Sequence, residues 1–227
     1  MSAPARTGVV VAIDGPSGSG KSSTSRGVAT RLGLRYLDTG AMYRAITWWM
    51  LRSDVPVDDP TAVAARCCEP TITSGTDPAA PAITVDGVDV AAAIRTPEVT
   101  GAVSQVSAVP LVRARLLDLQ REVIAAAHGG PGIVVEGRDI GSTVAPDADV
   151  KVYLTADAAA RAQRRAAEEG GSDLAATESS LLARDQIDST RTTSPLTMAD
   201  GAVHLDTTPY TLDEVVDLIV GMVEAVS

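Results

Sequence analysis

The stretch Gly15-Pro16-Ser17-Gly18-Ser19-Gly20-Lys21-Ser22 constrains this chain more than any other. It fills every fixed position of G-x-x-x-x-G-K-[ST] and stands between a strand and a helix, the setting that pattern needs. Residues 8–14 are short, β-branched and almost wholly apolar, as a strand buried on both faces requires. Ser22 to Leu32 holds no proline and puts Val28 and Leu32 four residues apart on one helical face. Glycines let consecutive backbone N–H groups curl round a phosphate, and the helix N-terminus adds the positive end of its dipole. In such a loop Lys21 reaches the outer phosphates, and the Ser22 hydroxyl binds Mg²⁺. A glycine turn that merely contains a lysine is the plain alternative, and the flanking strand and helix speak against it. A nucleoside triphosphate is expected here, on Gly15 to Ser22 and the adjoining Ser23.

At 227 residues the chain suits one domain, or one with a sizeable insertion. Its formal net charge of −10 argues against non-specific nucleic-acid or anionic-membrane binding. The inferred ligand is nevertheless an anion, so basic groups must be concentrated locally. Only Lys21 and Lys151 are lysines; the remaining 17 of the 19 basic residues are arginines, whose fork matches phosphate in two places at once. A general bias toward arginine and alanine explains part of that count. The two cysteines, Cys67 and Cys68, are neighbours and can hardly satisfy disulfide geometry. They read as reduced, partly buried thiols. No apolar run approaches membrane-spanning length and no signal peptide is evident, so a soluble, cytoplasmic protein is expected. A monomer is the separate expectation for its assembly.

Further strands are expected at 34–38, 132–135, 150–154 and 202–206, alternating with helices at 41–52, 110–127 and from 211. That alternation predicts a mainly parallel sheet covered on both faces. Met42, Ile46 and Met50 face inward on the first of those helices. Val112, Leu116, Leu119 and Val123 do so on the second, leaving Arg113 outside the row. Leu212, Val216, Ile219 and Val223 do so on the last, which opens with a capping-box pattern at Thr211 and Glu214. Between 54 and 81 the composition turns to proline, threonine and alanine. Ile83 to Val90 then alternates around Asp86-Gly87, a tight-hairpin signal, and Thr71-Ile72-Thr73 offers a third strand. This small antiparallel sheet breaks the strand–helix rhythm and reads as an insertion.

Two stretches between the last two strands are rich in arginine. Arg161, Arg164 and Arg165 share one helix face, as do Arg184, Asp188 and Arg191. Charged helix faces are usually solvated surface. Here the two flank the flexible composition Glu168-Glu169-Gly170-Gly171-Ser172, and a mobile lid carrying arginines over phosphates is the sharper reading.

Together, Gly15 to Ser22, Asp38-Thr39-Gly40-Ala41-Met42-Tyr43-Arg44, Ile94-Arg95-Thr96, Ser104-Gln105-Val106, Gly137-Arg138-Asp139-Ile140-Gly141 and Arg184-Asp185-x-x-Asp188-x-x-Arg191 resemble bacterial cytidylate kinases. The likeness spans nearly the whole chain in order and spacing. It implies an α/β P-loop NTPase fold of the adenylate-kinase type: a five-stranded parallel sheet flanked by helices, a small antiparallel β insertion and a short lid. The implied parts are a core (about 1–38, 106–156 and 195–227), a nucleoside-monophosphate region (about 39–105) and a lid (about 157–194).

The resemblance also implies roles. Arg44, Arg138 and Arg191 match residues holding the acceptor phosphate, and Arg184 and Asp188 those at its sugar. Ser104, Arg113 and Asp139 match residues at the cytosine edge, with Thr39, Gly40 and Tyr43 lining the same pocket. Arg161 and Arg165 match lid arginines facing the donor phosphates, so Lys21, Arg138, Arg161, Arg165 and Arg191 form the implied catalytic set. Position 136 is glutamate where the motif often has aspartate; it either aids Mg²⁺ through water beside Ser22 or orients Arg138. The implied reaction is transfer of the ATP γ-phosphoryl to CMP, and to dCMP, with Mg²⁺. A phosphate acceptor is already ionised near neutral pH, so no general base is needed, and His128 and His204 read as structural or surface residues. A kinase for another small acceptor shares Lys21 but not the Ser104, Arg113 and Asp139 set. A GTP-binding switch needs an Asn-Lys-x-Asp motif, and the chain contains no asparagine.

Overall fold

The computed structural model describes residues 8–168, 171 and 173–226. Its strands are β1 (Val10–Asp14), β2 (Arg35–Asp38), β3 (Ile72–Ser74), β4 (Ile83–Val85), β5 (Val88–Asp89), β6 (Ile133–Gly137), β7 (Val150–Thr155) and β8 (Val203–Asp206). The helices are α1 (Lys21–Leu32), α2 (Thr39–Arg52), α3 (Pro60–Arg66), α4 (Pro97–Ala108), α5 (Pro110–His128), α6 (Ala158–Glu168), α7 (Leu174–Thr190) and α8 (Leu212–Ala225).

Five strands form one parallel sheet in the order β2-β6-β1-β7-β8. β1 is central, every residue of it is buried, and its side chains alternate between two cores. Val9, Val11 and Ile13 pack with Val28 of α1 and with Val216, Ile219 and Val223 of α8. Val10 and Ala12 pack on the other face with Met42 and Ile46 of α2 and Leu116 of α5. The chain leaves β1 for β2, beyond β6, and later crosses from β6 to β7 on the other side of β1. The carboxyl end of β1 is thus where strand order reverses, the place an open α/β sheet offers to ligands.

The insertion forms as expected: β3, β4 and β5 make a three-stranded antiparallel sheet. Its hairpin turns through Asp86 (φ 51°) and Gly87 (φ 79°), the positive angles a two-residue mirror-image turn requires. Two helices were not anticipated. Asp59 caps α3 by accepting from Thr61 and Ala62, with Pro60 in the first turn. Thr96 caps α4 ahead of Pro97. The expected stripe on α8 is shifted at its start. Leu212 is 48 % exposed, because as the first helical residue it lies beyond the sheet, and Val215 and Val220 are buried instead. The capping box of Thr211 and Glu214 is formed. Glu169, Gly170 and Ser172 of the expected flexible stretch lie outside the described residues.

Candidate active site

The P-loop is shaped by glycines that no other residue replaces. Gly15 has φ +148°, and a Cβ there would stand 2.1 Å from the Leu154 carbonyl oxygen of β7. Lys21 opens α1 with its ammonium turned back onto the loop, donating to the Pro16 carbonyl at 2.6 Å and to Ser19 Oγ at 3.4 Å. Burial, with Arg138 nearby, lowers its pKa to about 7. Beside it, Ser22 Oγ donates to Glu136 Oε2 at 3.1 Å, and Tyr36 OH donates to Glu136 Oε1 at 2.5 Å. Glu136 is the last residue but one of the buried strand β6; burial and the neighbouring Asp38 carboxylate push its pKa up to about 7. Its partners are Ser22 and Tyr36, so of its two expected roles the geometry favours the one beside Ser22.

A cavity of about 170 Å³ opens at the carboxyl ends of the strands. Among the expected ligand residues, Ser17, Gly18, Gly20, Lys21, Ser22 and Ser23 line it from the P-loop side. Thr39, Gly40, Tyr43 and Arg44 line it from α2, and Ser104 and Arg113 from α4 and α5. Glu136, Arg138 and Asp139 do so from the end of β6, and Arg165, Arg184, Asp188 and Arg191 from the two arginine-rich segments. Gly15, Pro16 and Ser19 form the loop's scaffold outside the lining. Arg161 is also outside it: its side chain is held in an ion pair with Asp185 and donates to the Ser17 carbonyl. Both arginine-rich segments thus touch the P-loop, and Arg161 of the first is held by a carboxylate from the second.

The end of the cavity away from the P-loop carries an alternating chain of charge. Arg113 meets Asp139 at 2.5 Å, Asp139 meets Arg191 at 3.5 Å, Arg191 meets Asp188 at 3.9 Å, and Asp188 meets Arg138 at 3.0 Å. Four of the five side chains are buried, and Arg138 is 20 % exposed. Three arginines against two carboxylates leave one positive charge uncompensated within the chain. The Arg113 guanidinium also lies 5.3 Å from the Tyr43 ring centroid, a cation–π contact. Arg44 donates to the Ile94 carbonyl at 3.1 Å and Thr100 Oγ1 at 2.9 Å. Burial, with the Arg184 cation next, lowers the pKa of Arg44 to about 9; that of Arg184 falls to about 10 through burial and Arg138. Half-buried, mutually repelling cations of this kind are poised for an anion.

Sequence reasoning passed over Asp14. Its oxygens accept from the backbone N–H groups of Ile140 and Gly141, each at 2.8 Å, tying the end of β1 to the loop that carries Arg138 and Asp139. Burial raises its pKa to about 6, the two backbone bonds holding it back. A polar residue closing an otherwise apolar strand was the available signal. Asp185 had one too, inside the Arg184–Arg191 motif itself.

The cytidylate kinase family model matches residues 11–225. The cytidylate kinase of Streptomyces griseus subsp. griseus is 61 % identical over 220 residues, covering 97 % of this chain and 94 % of its own. That of Nocardia farcinica is 55 % identical over 215 residues, covering 93 % and 91 %. Among solved structures, an uncharacterized protein from Eubacterium ventriosum aligns at TM-score 0.52 and 12 % identity over 96 % of this chain and 98 % of that one. TT1252 from Thermus thermophilus aligns at 0.50 and 19 % over 97 % and 98 %. These two likenesses bear on the α/β fold alone. With a P-loop at the head of a five-stranded parallel sheet and a family match along almost its entire length, the chain belongs to the cytidylate kinase family.

Proposed function

We propose that this chain transfers the γ-phosphoryl group of ATP to CMP, and to dCMP, giving ADP and the pyrimidine diphosphate. An oxygen of the acceptor phosphate forms a bond to the γ-phosphorus as the bond to the β–γ bridging oxygen breaks, in line. The observation that carries this reading is the single cavity joining the P-loop to the Arg113–Asp139–Arg191–Asp188–Arg138 chain. One end suits a triphosphate and the other a small phosphorylated molecule with a polar base.

The chemistry asks the protein mostly for alignment and charge. Lys21 and the P-loop amides hold the donor phosphates, with Arg165 reaching in from α6 and Arg161 bracing the Ser17 peptide from outside the cavity. Arg44, Arg138 and Arg191 hold the acceptor phosphate, which has its second pKa near 6 and needs no base to ionise it. Arg184 and Asp188 take the sugar, and an ionised carboxylate accepts from its hydroxyls. Ser104, Arg113 and Asp139 read the base.

Mg²⁺ fits beside Ser22. This cation keeps most of its waters and takes only one or two protein oxygens alongside phosphate. The Ser22 hydroxyl backed by the buried Glu136 carboxylate at 3.1 Å is such a donor set. Among the described residues no cluster of three metal-ligating side chains competes with it. When bound, the cation neutralises charge on the transferring phosphates.

Our reading divides the chain into a core (about 1–38, 106–156 and 195–227), a nucleoside-monophosphate region (about 39–105) and a lid (about 157–194) that act as one monomer. It sets the reaction in the cytoplasm, a reading supported by the free thiols of Cys67 and Cys68. No described helix is long and apolar enough to cross a membrane. The test is to offer CMP, dCMP, UMP, AMP and GMP singly with ATP and Mg²⁺ and to separate the products. CMP and dCMP should be converted fastest; faster conversion of a purine monophosphate would overturn the assignment.

A further inference from the structure

Ser17, third residue of the P-loop, is gripped by both helices of the 157–194 segment. Its backbone N–H donates to Asp185 Oδ1 at 3.1 Å, and its carbonyl accepts from Arg161 at 3.0 Å. Its hydroxyl accepts from Arg184 at 3.2 Å. The other oxygen of Asp185 closes the ring, pairing with the Arg161 nitrogen that holds the Ser17 carbonyl. The two side chains are 7 % and 16 % exposed. The approach is close: a Cβ on Gly18 would stand 3.1 Å from both Arg161 Cβ and its carbonyl oxygen. Neither Arg161 nor Asp185 lines the cavity, so the grip is applied from outside it.

We infer that Asp185 is a positioning residue for the donor nucleotide, tying the Ser17 peptide to Arg161 and so fixing the P-loop's first half against α6 and α7. It touches no substrate. The position asks for two acceptors at once, one for a peptide N–H and one for a guanidinium, and only a carboxylate supplies both. Asparagine accepts from the N–H but turns its NH₂ group toward Arg161; alanine does neither. Because, among the described residues, the hydrogen bonds of its carboxylate go to the P-loop and α6, its loss should weaken ATP far more than CMP. The inference rests on the phosphoryl-transfer reading only in taking ATP as the donor.

Calorimetric titration of the full chain with ATP and, separately, CMP tests it, using wild type, Asp185→Asn, Asp185→Ala, Arg161→Ala and the double alanine variant. Asp185→Ala should weaken ATP about tenfold, or about 1.4 kcal/mol, and change CMP affinity by less than about twofold. Asp185→Asn should fall between it and wild type; should the alanine variant fail to fold, the asparagine variant decides the matter by the same ATP-against-CMP split. The double variant should lose less ATP affinity than the product of the single losses, since both act on one peptide. Equal weakening of both nucleotides, a multiplicative double variant, or a lowered melting temperature with unchanged ATP affinity would each overturn the inference. Wild type that binds ATP but not CMP would sink the acceptor assignment instead, and the ATP ratios would still decide the role of Asp185.

Discussion

Asp139, in the loop after β6, and Arg113, in the first turn of α5, form a salt bridge of 2.5 Å with each residue about 5 % exposed. It joins a strand end to a helix that sequence periodicity assigned to the core, and the same Asp139 reaches Arg191 beyond α7 at 3.5 Å. This end of the cavity is thus held by charge rather than by apolar packing. Arg113→Ala should therefore cost about 3–5 kcal/mol, because it leaves a carboxylate buried and short of its closest partner. Urea unfolding of the ligand-free protein measures this; a loss below about 1 kcal/mol, the range of an exposed pair, would contradict it.

Lys21→Ala should lower turnover by about 100- to 1000-fold, the usual effect of deleting one charge contact to a transferring group in a water-poor site. The circular dichroism spectrum should be unchanged, since among the described residues the Lys21 ammonium is hydrogen-bonded within its own loop. Turnover near that of wild type would remove Lys21 from the reaction.

The same variant tests the electrostatics of the loop without substrate. Folding lowers the Lys21 pKa from 10.5 to about 7, so the folded state binds this proton less tightly than the unfolded chain does. Its contribution to stability is present above pH 10.5 and is lost as pH falls from there through about 7. Wild type should therefore gain stability relative to Lys21→Ala as pH rises from 7 toward 10. Melting curves of both proteins across that window check it, and a constant difference would mean that Lys21 keeps an ordinary pKa.

Gly15→Ala should abolish ATP binding. The new methyl would stand 2.1 Å from the Leu154 carbonyl oxygen at φ +148°, so the loop must leave β7 or the strand must move. Backbone strain alone costs about 1–3 kcal/mol before the clash is counted. Titration with ATP, alongside a melting curve, separates a displaced loop from a protein that no longer folds.

All five parallel strands were legible because each is a short apolar run closed by a polar or glycine turn. Their spatial order was not, since nothing local says that β6 enters between β1 and β2. Helix α4 escaped notice because Val99, Thr100, Gly101, Val103 and Val106 are weak helix formers, and burial of Val99, Val103 and Val106 overrides that preference. At the site, residue types and spacing revealed the P-loop and the clustered arginines. Partners could not be read: Asp139 and Arg113 lie 26 residues apart, Asp14 and Gly141 lie 127 apart, and only the folded sheet brings them together. Arg161 shows the limit most plainly. A sequence can give it the right helix face, but not the carboxylate from α7 that holds it.

In the proposed function the Arg113–Asp139 end of the cavity reads cytosine. Uracil presents a carbonyl where cytosine presents an amine, so a carboxylate placed to accept from the amine would face a lone pair, a costly mismatch when buried. Asp139→Asn exchanges a pure acceptor for a group that can also donate. The decisive measurement is kcat/KM for CMP and for UMP on wild type and Asp139→Asn. Wild type should strongly prefer CMP, and the variant should lose CMP activity far more than UMP activity. Equal use of both nucleotides by wild type, or a CMP/UMP ratio that the substitution leaves unchanged, would contradict it.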